Sequence, residues 1–298
     1  MNSISKKALL KTVAGKKINE LEQYALRSYT GKKILATLYH SPAYRFFSKK
    51  INEFRNYRLL EEIKQQPVPN HIAIIMDGNR RYARDLELSP EAGHLLGRDK
   101  IEEILDWCFE VDIKVVTVFA FSTENFKRSK KEVQTLMNLC RHELQRALHD
   151  ERIHKNKVKI QVLGHLESLP EDIQKAARTL MKQTKKYNKY IFNIALAYGG
   201  REEIVQAIKK IAQDFKRGKL KIDDITQKTV SSYLYTQGLP DPDLILRTSG
   251  EERISNFLLW QLAYSELYFS DVYWPAFQKR DFLNAIYTYQ QRHRRYGT

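Results

Sequence analysis

The run His71-Ile-Ala-Ile-Ile-Met76 constrains the fold more than any other stretch of this 298-residue chain. It shows no alternation of apolar and polar residues, and Asp77-Gly78-Asn79-Arg80-Arg81 follows it at once. A strand with one wet face alternates. An unbroken run predicts a strand covered on both faces, as in a parallel sheet between helices. Residues 115–121 form another such run, residues 158–163, 190–196 and 243–247 read as further strands, and Leu267-Tyr-Phe269 reads as a last short strand. The intervening segments have helical period. Ile101, Ile104, Leu105 and Cys108 share one face, Val133, Leu136, Met137 and Cys140 another, and Ile204, Ala207, Ile208 and Ile211 a third. Apolar strands alternating with helices predict an α/β fold: a mostly parallel central sheet flanked by helices.

Open α/β sheets gather ligands beyond the carboxyl ends of their strands. Three of the expected strands end in concentrated chemistry. After the first come Asp77, Gly78 and Asn79, and then Arg80 and Arg81 open a helix. Free backbone N–H groups at a helix start, together with guanidinium forks, suit a phosphate. Asp77 can share that space with phosphate only across a cation, and Mg²⁺ takes few carboxylates alongside phosphate oxygens. Taken alone, the segment reads equally well as an Asx turn with a surface arginine pair. The second strand runs through Phe119-Ala-Phe-Ser-Thr-Glu-Asn-Phe-Lys-Arg-Ser129 and delivers Arg128. The third closes on Arg247, followed by the small-residue loop Thr248-Ser249-Gly250 and then Arg253 and Ser255. Asp77, Arg81, Arg128, Arg247 and Arg253 thus reach one edge. Two diphosphates need about this much positive charge, and buried arginines need anionic partners.

The formal net charge is +16, and residues 1–64 hold 14 Lys and Arg against 5 Asp and Glu. Such a surplus attracts polyanions of several kinds. No helix-turn-helix, zinc-finger or RNP-like segment is present, so nucleic acid is not the expected partner. Residues 1–66 read as a basic, helical N-terminal extension, closed by Pro67 and Pro69, ahead of a catalytic domain over 67–298. The extension is rich in aromatics. It reads either as an amphipathic helix on a membrane surface or as a solvated or core-docked helix. It lacks the apolar core of a secretory signal, and no run reaches the ~18 apolar residues of a membrane span. Cys108 and Cys140 form no C-x-x-C pair and are expected as reduced thiols, which suits a cytoplasmic protein, with peripheral membrane contact through the extension. His142, His149, His154 and His165 have no metal-site spacing.

Four long motifs carry a resemblance: HIAIIMDGNRRYA, FAFSTENFKRS, ALAYGGREEI and DLILRTSGEERISNFLLWQLAYSELYF. From about Pro69 to Gly297 the chain resembles the cis-prenyltransferases, the undecaprenyl and dehydrodolichyl diphosphate synthases. The resemblance implies an elongated hydrophobic tunnel beside the sheet. It also implies Mg²⁺-dependent condensation of isopentenyl diphosphate onto an allylic diphosphate, farnesyl or geranylgeranyl, giving a cis-polyprenyl diphosphate precursor of a dolichyl or undecaprenyl glycosyl carrier. On this resemblance Asp77 holds Mg²⁺ and assists departure of the allylic diphosphate. Gly78, Asn79, Arg80, Arg81 and Arg128 bind that diphosphate, with His94 nearby. Arg247, Arg253 and Ser255 hold isopentenyl diphosphate, and Glu266 is a second Mg²⁺ ligand. Asn125 with Ser122 helps remove the proton, and Tyr82 and Phe126 flank the prenyl group. Arg295-Tyr296-Gly297 matches a C-terminal motif that reaches the partner's site in homodimers. Arg80 and Tyr82 stand where the best-known bacterial members carry glycine and tryptophan, which resembles the archaeal and eukaryotic branch.

Overall fold

The computed structural model describes residues 42–292. The expected roles of Arg295 and Gly297, and most of the basic extension, lie outside the described residues. The chain divides into two units, residues 1–62 and 63–298. The described part of the first is helix α1 (Pro42–Ile63), which runs on to the boundary.

In the second unit β1 (His71–Ile75), β2 (Val115–Ser122), β3 (Val158–Leu163), β4 (Tyr190–Tyr198), β5 (Leu244–Arg247) and β6 (Glu266–Phe269) form one sheet. Its order is β3-β4-β2-β1-β5-β6, with every neighbouring pair parallel. β1 is buried along its whole length, as its unbroken apolar run requires. The helices are α2 (Asn79–Asp85), α3 (Pro90–Glu110), α4 (Lys130–Ala147), α5 (Glu151–Lys155), α6 (Glu171–Thr184), α7 (Gly200–Lys216), α8 (Gln227–Tyr233) and α9 (Lys279–Gln291). Their starts follow ordinary capping chemistry. Ser89 accepts a hydrogen bond from the Ala92 N–H, with Pro90 in the first turn of α3, and Ser129 accepts from the Glu132 N–H to open α4.

Three buried polar residues tie neighbouring strands together near their amino ends. The His71 imidazole lies 2.8 Å from the Pro240 carbonyl through Nδ1 and 2.7 Å from the Thr117 hydroxyl through Nε2. The carbonyl only accepts, so Nδ1 carries the proton and Nε2 accepts from Thr117. Asn193 Nδ2 donates to the same hydroxyl at 2.8 Å. Burial pushes the His71 pKa down to about 4, which keeps the ring neutral. These bonds link β1, β2 and β4, and a one-residue slip would break them.

One helix face differs from expectation. Ile208 does not join Ala207 and Ile211 inside; it is 56% exposed, beside Val205 and Phe215 on the outer surface of α7. Glu203 is buried in its place. Its carboxylate accepts from the Tyr198 hydroxyl at 2.5 Å, the Tyr235 N–H at 2.8 Å and Gln261 Nε2 at 3.1 Å. Three donors satisfy this buried carboxylate, which turns the inward line of the helix onto Glu203, Ala207 and Ile211. Both cysteines are free thiols, as expected. Among the described residues no helix is long and apolar enough to cross a membrane.

Candidate active site

β1 lies between β2 and β5, with Ile75 in register with Arg247. The residues following β1 and β5 therefore emerge side by side at the carboxyl edge. Thr248 fastens the two ends: its hydroxyl accepts from the Asp77 N–H at 2.9 Å and donates to the Asp77 carbonyl at 2.7 Å. Asp77 Oδ2 accepts from Arg247 Nη2 at 2.7 Å, and Oδ1 accepts from the Gly78 N–H at 2.7 Å. Arg81 Nη2 stands 3.4 Å from Oδ1. Partial burial acts to raise the Asp77 pKa. The Arg247 hydrogen bond and charge, the Gly78 N–H and the Arg81 charge outweigh it and hold the carboxyl below the usual carboxylate range.

Gly78 has φ +102° and leads into α2. A Cβ there would stand 2.7 Å from the Tyr273 ring and 2.9 Å from Ser249 Cβ, so glycine alone fits both the dihedral and the space. Gly97 of α3 acts by close approach, since a Cβ on it would meet Asn79 Oδ1 at 2.3 Å. The two arginines at the start of α2 diverge. Arg80 Nη1 donates to Glu132 Oε2 at 3.3 Å. Arg81 donates to Glu251 Oε1 at 2.8 Å and to Ser249 Oγ at 2.6 Å, with its guanidinium 5.7 Å from the centre of the Tyr273 ring. Tyr82 meets Tyr273 edge-on at 6.4 Å.

Arg128 Nη1 donates to Glu132 Oε1 at 2.8 Å. Glu132 thus holds Arg80 and Arg128 together, and His94 Nε2 lies 3.7 Å away, beyond hydrogen-bond distance. Burial, with the Arg128 and Arg80 charges and against Glu132, lowers the His94 pKa. Ser122 and Asn125 form a reciprocal cap: Ser122 Oγ accepts from the Asn125 N–H at 3.2 Å, and Asn125 Oδ1 accepts from the Ser122 N–H at 3.0 Å. Phe126 packs edge-on against Phe121 at 4.8 Å.

Arg247 is 3% exposed. Besides Asp77 it donates to Ser255 Oγ at 2.8 Å and to the Arg253 carbonyl. Arg253 also pairs with Glu251, so Glu251 stands between Arg81 and Arg253. The loop carrying these residues is strained: Ser249, Ser255, Asn256 and Leu258 all have positive φ. Such strain collects where surrounding structure holds a functional arrangement in place. Three buried polar atoms in this region lack a protein partner: Asn79 Oδ1, His94 Nε2 and Arg247 Nε.

Glu266 is not brought to this edge within one chain. It opens β6 opposite Leu244, at the amino end of the sheet, and its carboxylate accepts from Arg292 at 2.8 Å. Three residues separate it from the register of Arg247, or about 10 Å along the strand. The reason is topological: in a parallel sheet, the start of one strand lies beside the start of its neighbour. Sequence reading missed Glu132, Glu251, Thr248 and Tyr273 as site members. Only Thr248 carried a signal, as part of the small-residue loop. Glu132 sits in a Ser-x-x-Glu pattern that reads as a helix cap.

An apolar cavity of about 270 Å³ leads away from this edge. Asn79, His94 and Gly97 line its upper end, Ile101, Leu105 and Phe109 of α3 continue one wall, and Val118, Phe192 and Ile194 of the sheet contribute to another.

The family model described as putative undecaprenyl diphosphate synthase matches residues 75–297. An enzyme of Thermoplasma volcanium named tritrans,polycis-undecaprenyl-diphosphate synthase (geranylgeranyl-diphosphate specific) is 56% identical over 239 residues, 80% of this chain and 93% of that protein. A Pyrococcus abyssi protein of the same name is 50% identical over 264 residues, 89% of this chain and 99% of its own. The crystal structure of lavandulyl diphosphate synthase from Lavandula x intermedia, in complex with dimethylallyl diphosphate, superposes with a TM-score of 0.74 at 36% identity, covering 78% of this chain and 99% of that one. A probable undecaprenyl diphosphate synthase from Campylobacter jejuni superposes with a TM-score of 0.64 at 32% identity, covering 78% of this chain and all of the other. With the Asp77–Arg247 pair at its centre, the chain belongs to the undecaprenyl diphosphate synthase family of prenyltransferases.

Proposed function

We propose that this chain condenses isopentenyl diphosphate onto an allylic diphosphate primer and so builds a cis-polyprenyl diphosphate, the precursor of a glycosyl carrier lipid. The observation that carries the proposal is the carboxyl edge itself. One carboxylate, Asp77, stands between two sets of arginines, and an apolar cavity starts beside them. The name of the 56% identical relative favours geranylgeranyl over farnesyl diphosphate as primer.

Asn79, Arg80, Arg81 and Arg128 take the allylic diphosphate, with the Gly78 backbone giving it room to approach and His94 nearby. Glu132 orients two of these arginines. Arg247, Arg253 and Ser255 take isopentenyl diphosphate. Guanidinium groups aimed where the leaving diphosphate gains charge favour ionisation of the allylic bond. The allylic cation must then meet the alkene away from water, which the cavity wall, Tyr82 and Phe126 provide. Holding both diphosphates on one rigid edge supplies proximity. Ser122 stands by the leaving proton. Asn125 Oδ1 is engaged in the cap, so this residue offers its amide N–H groups to a diphosphate oxygen.

Asp77 fits Mg²⁺. It is an ionised carboxylate whose side chain is 30% exposed, at the junction of the two arginine sets. Among the described residues no three His, Cys, Asp or Glu side chains form a metal cage. Asp77 together with substrate phosphate oxygens is the donor set that Mg²⁺ favours. When bound there, the ion would neutralise charge on the departing diphosphate. A homodimer is supported by the apolar stripe Val205, Ile208 and Phe215, and by Tyr264, which is 79% exposed. Arg295 and Gly297 would then reach the partner's site, and Glu266 would serve metal only through that assembly. The basic extension is proposed as a peripheral membrane contact, and loss of residues 1–64 is expected to weaken binding to anionic vesicles.

The test is incubation with Mg²⁺, labelled isopentenyl diphosphate and geranylgeranyl diphosphate, followed by chain-length analysis. Stepwise polyprenyl products are expected. Absence of any label in an extended chain would overturn the proposal.

A further inference from the structure

The lower, outer wall of the apolar cavity is not apolar. Residues of both α3 and α4 line the cavity, and charged side chains join the two helices. Arg98 of α3 lies 3.5 Å from Glu143 of α4. Glu143 pairs with Arg146 at 2.7 Å, and Arg146 reaches back across to Glu102 of α3 at 2.5 Å. Glu102 also accepts from Arg152 of α5 at 2.9 Å, and Arg152 pairs with Asp150 at 2.6 Å. All six residues line the cavity. The result is a zip of alternating charge that starts beside the upper site and ends at the foot of the cavity.

Glu102 is the hinge of this zip, because Arg146 and Arg152 share its carboxylate. The Arg152 hydrogen bond, and then the Arg146 charge and hydrogen bond, hold its carboxyl below the usual range although partial burial acts the other way. The side chains are far from sealed: Glu102 is 33% exposed, Arg146 47% and Arg152 58%. Exposed ion pairs of this kind are individually weak and are screened by salt. A wall made of them can therefore part. It also repels a hydrocarbon chain while it is closed, because methylene groups pressed against ionised side chains displace their water without replacing its hydrogen bonds.

We propose that the Glu102–Arg146–Arg152–Asp150 ion pairs form the stop of the product cavity and determine how long the prenyl chain grows. This rests on the prenyltransferase reading above. From His94 to Phe109 the cavity follows about 22 Å of α3. An extended undecaprenyl chain is longer than that. As it grows it folds back within the cavity, or it presses on the seam until elongation ceases or the seam opens. Opening exposes Arg146 and Arg152 further to solvent, where both side chains are already about half exposed, and Arg152 keeps its pair with Asp150. The charges thus set a threshold, and no single bulky side chain is needed at the foot of the cavity.

The experiment uses the full chain and compares product lengths at equal consumption of labelled isopentenyl diphosphate. Glu102→Gln keeps the shape of the side chain and removes the shared counter-ion. Its product distribution is expected to move upward by one or more isoprene units, and Glu102→Asp is expected to return it toward that of the parent. Arg152→Gln gives an independent arm should Glu102→Gln fail to fold. Leu105→Trp, which fills the cavity without altering any of the paired charges, is expected to shorten the product. An unchanged or shortened distribution in both Glu102→Gln and Arg152→Gln, with Leu105→Trp shortening it, overturns the seam and leaves the cavity reading standing. No shortening in Leu105→Trp overturns the cavity as the chain's site, and no elongation by the parent protein overturns the prenyltransferase reading itself.

Discussion

The two ends of the sheet bury polar groups in opposite ways. At the amino end His71, Thr117 and Asn193 form a neutral, hydrogen-bonded line, and the Asp243 carboxylate accepts from the Asn70 and His71 N–H groups at 2.7 and 3.0 Å. At the carboxyl end Arg247 is buried with its charge, four non-glycine residues of one loop have positive φ, and three buried polar atoms await partners. The amino end fixes register, and its buried side-chain atoms without a partner are Asn193 Oδ1 and Gln161 Oε1. The carboxyl end is strained and carries surplus positive charge, the arrangement expected where an anionic ligand completes the structure. One sheet thus carries a neutral, register-fixing line at one end and a charged, strained cluster at the other.

The sharpest way to break this contrast is Asp77→Ala. Turnover is expected to fall on the order of a thousandfold, while circular dichroism keeps the parent spectrum; turnover within tenfold of the parent would remove chemistry from the carboxyl end. Next comes the amino end, read through pH. The His71 pKa is depressed from 6.5 to about 4, so the unfolded chain takes up a proton that the folded one refuses. The contribution of His71 is fully present above pH 6.5 and is lost as pH falls toward 4, by about 3 kcal/mol in all. Urea midpoints measured from pH 7 to pH 4.5 should show the fall, and His71→Leu should flatten it. If the slope is the same in both proteins, the neutral histidine line is not the amino-end lock.

Gly78→Ala is smaller in stability and is expected to cost about 1–2 kcal/mol for the left-handed dihedral, plus the displacement of Tyr273 and Ser249. Because those two residues support Arg81, activity should fall with it; a melting temperature and KM for primer both equal to the parent's would refute the tight fit. The smallest expected effect is at the amino edge. Arg292→Ala breaks a half-exposed pair with Glu266 and should shift stability by less than about 1 kcal/mol, as checked by thermal melting.

Much of the site was legible because the chemistry follows each strand directly. A buried strand must end: Asp77 and Arg247 stand where two of them end, and Arg128 follows a third after one short 3-10 turn. Local periodicity also located the helices. Ile208 shows the limit of periodicity. Its spacing matches Ala207 and Ile211, but the inward face of α7 was settled by Glu203, whose donors come from Tyr198, Tyr235 and Gln261. No window of the α7 sequence contains the last two. Glu132 and Glu251 were missed for a related reason. Each reads as a surface acid until the arginines of α2, some 50 and 170 residues away, are folded against it.

What the sequence by itself determined was the run of strands and helices, the parallel class of the sheet, and the identity of the groups carrying charge to its carboxyl edge. These depend on local periodicity and on what directly follows each strand. Only the tertiary structure decided that β5 lies beside β1, so that Arg247 meets Asp77. It also decided that Glu266 falls at the opposite end, and that ion pairs close one wall of the cavity. Those facts depend on which distant segments become neighbours, and that is settled by burial and register across the whole sheet.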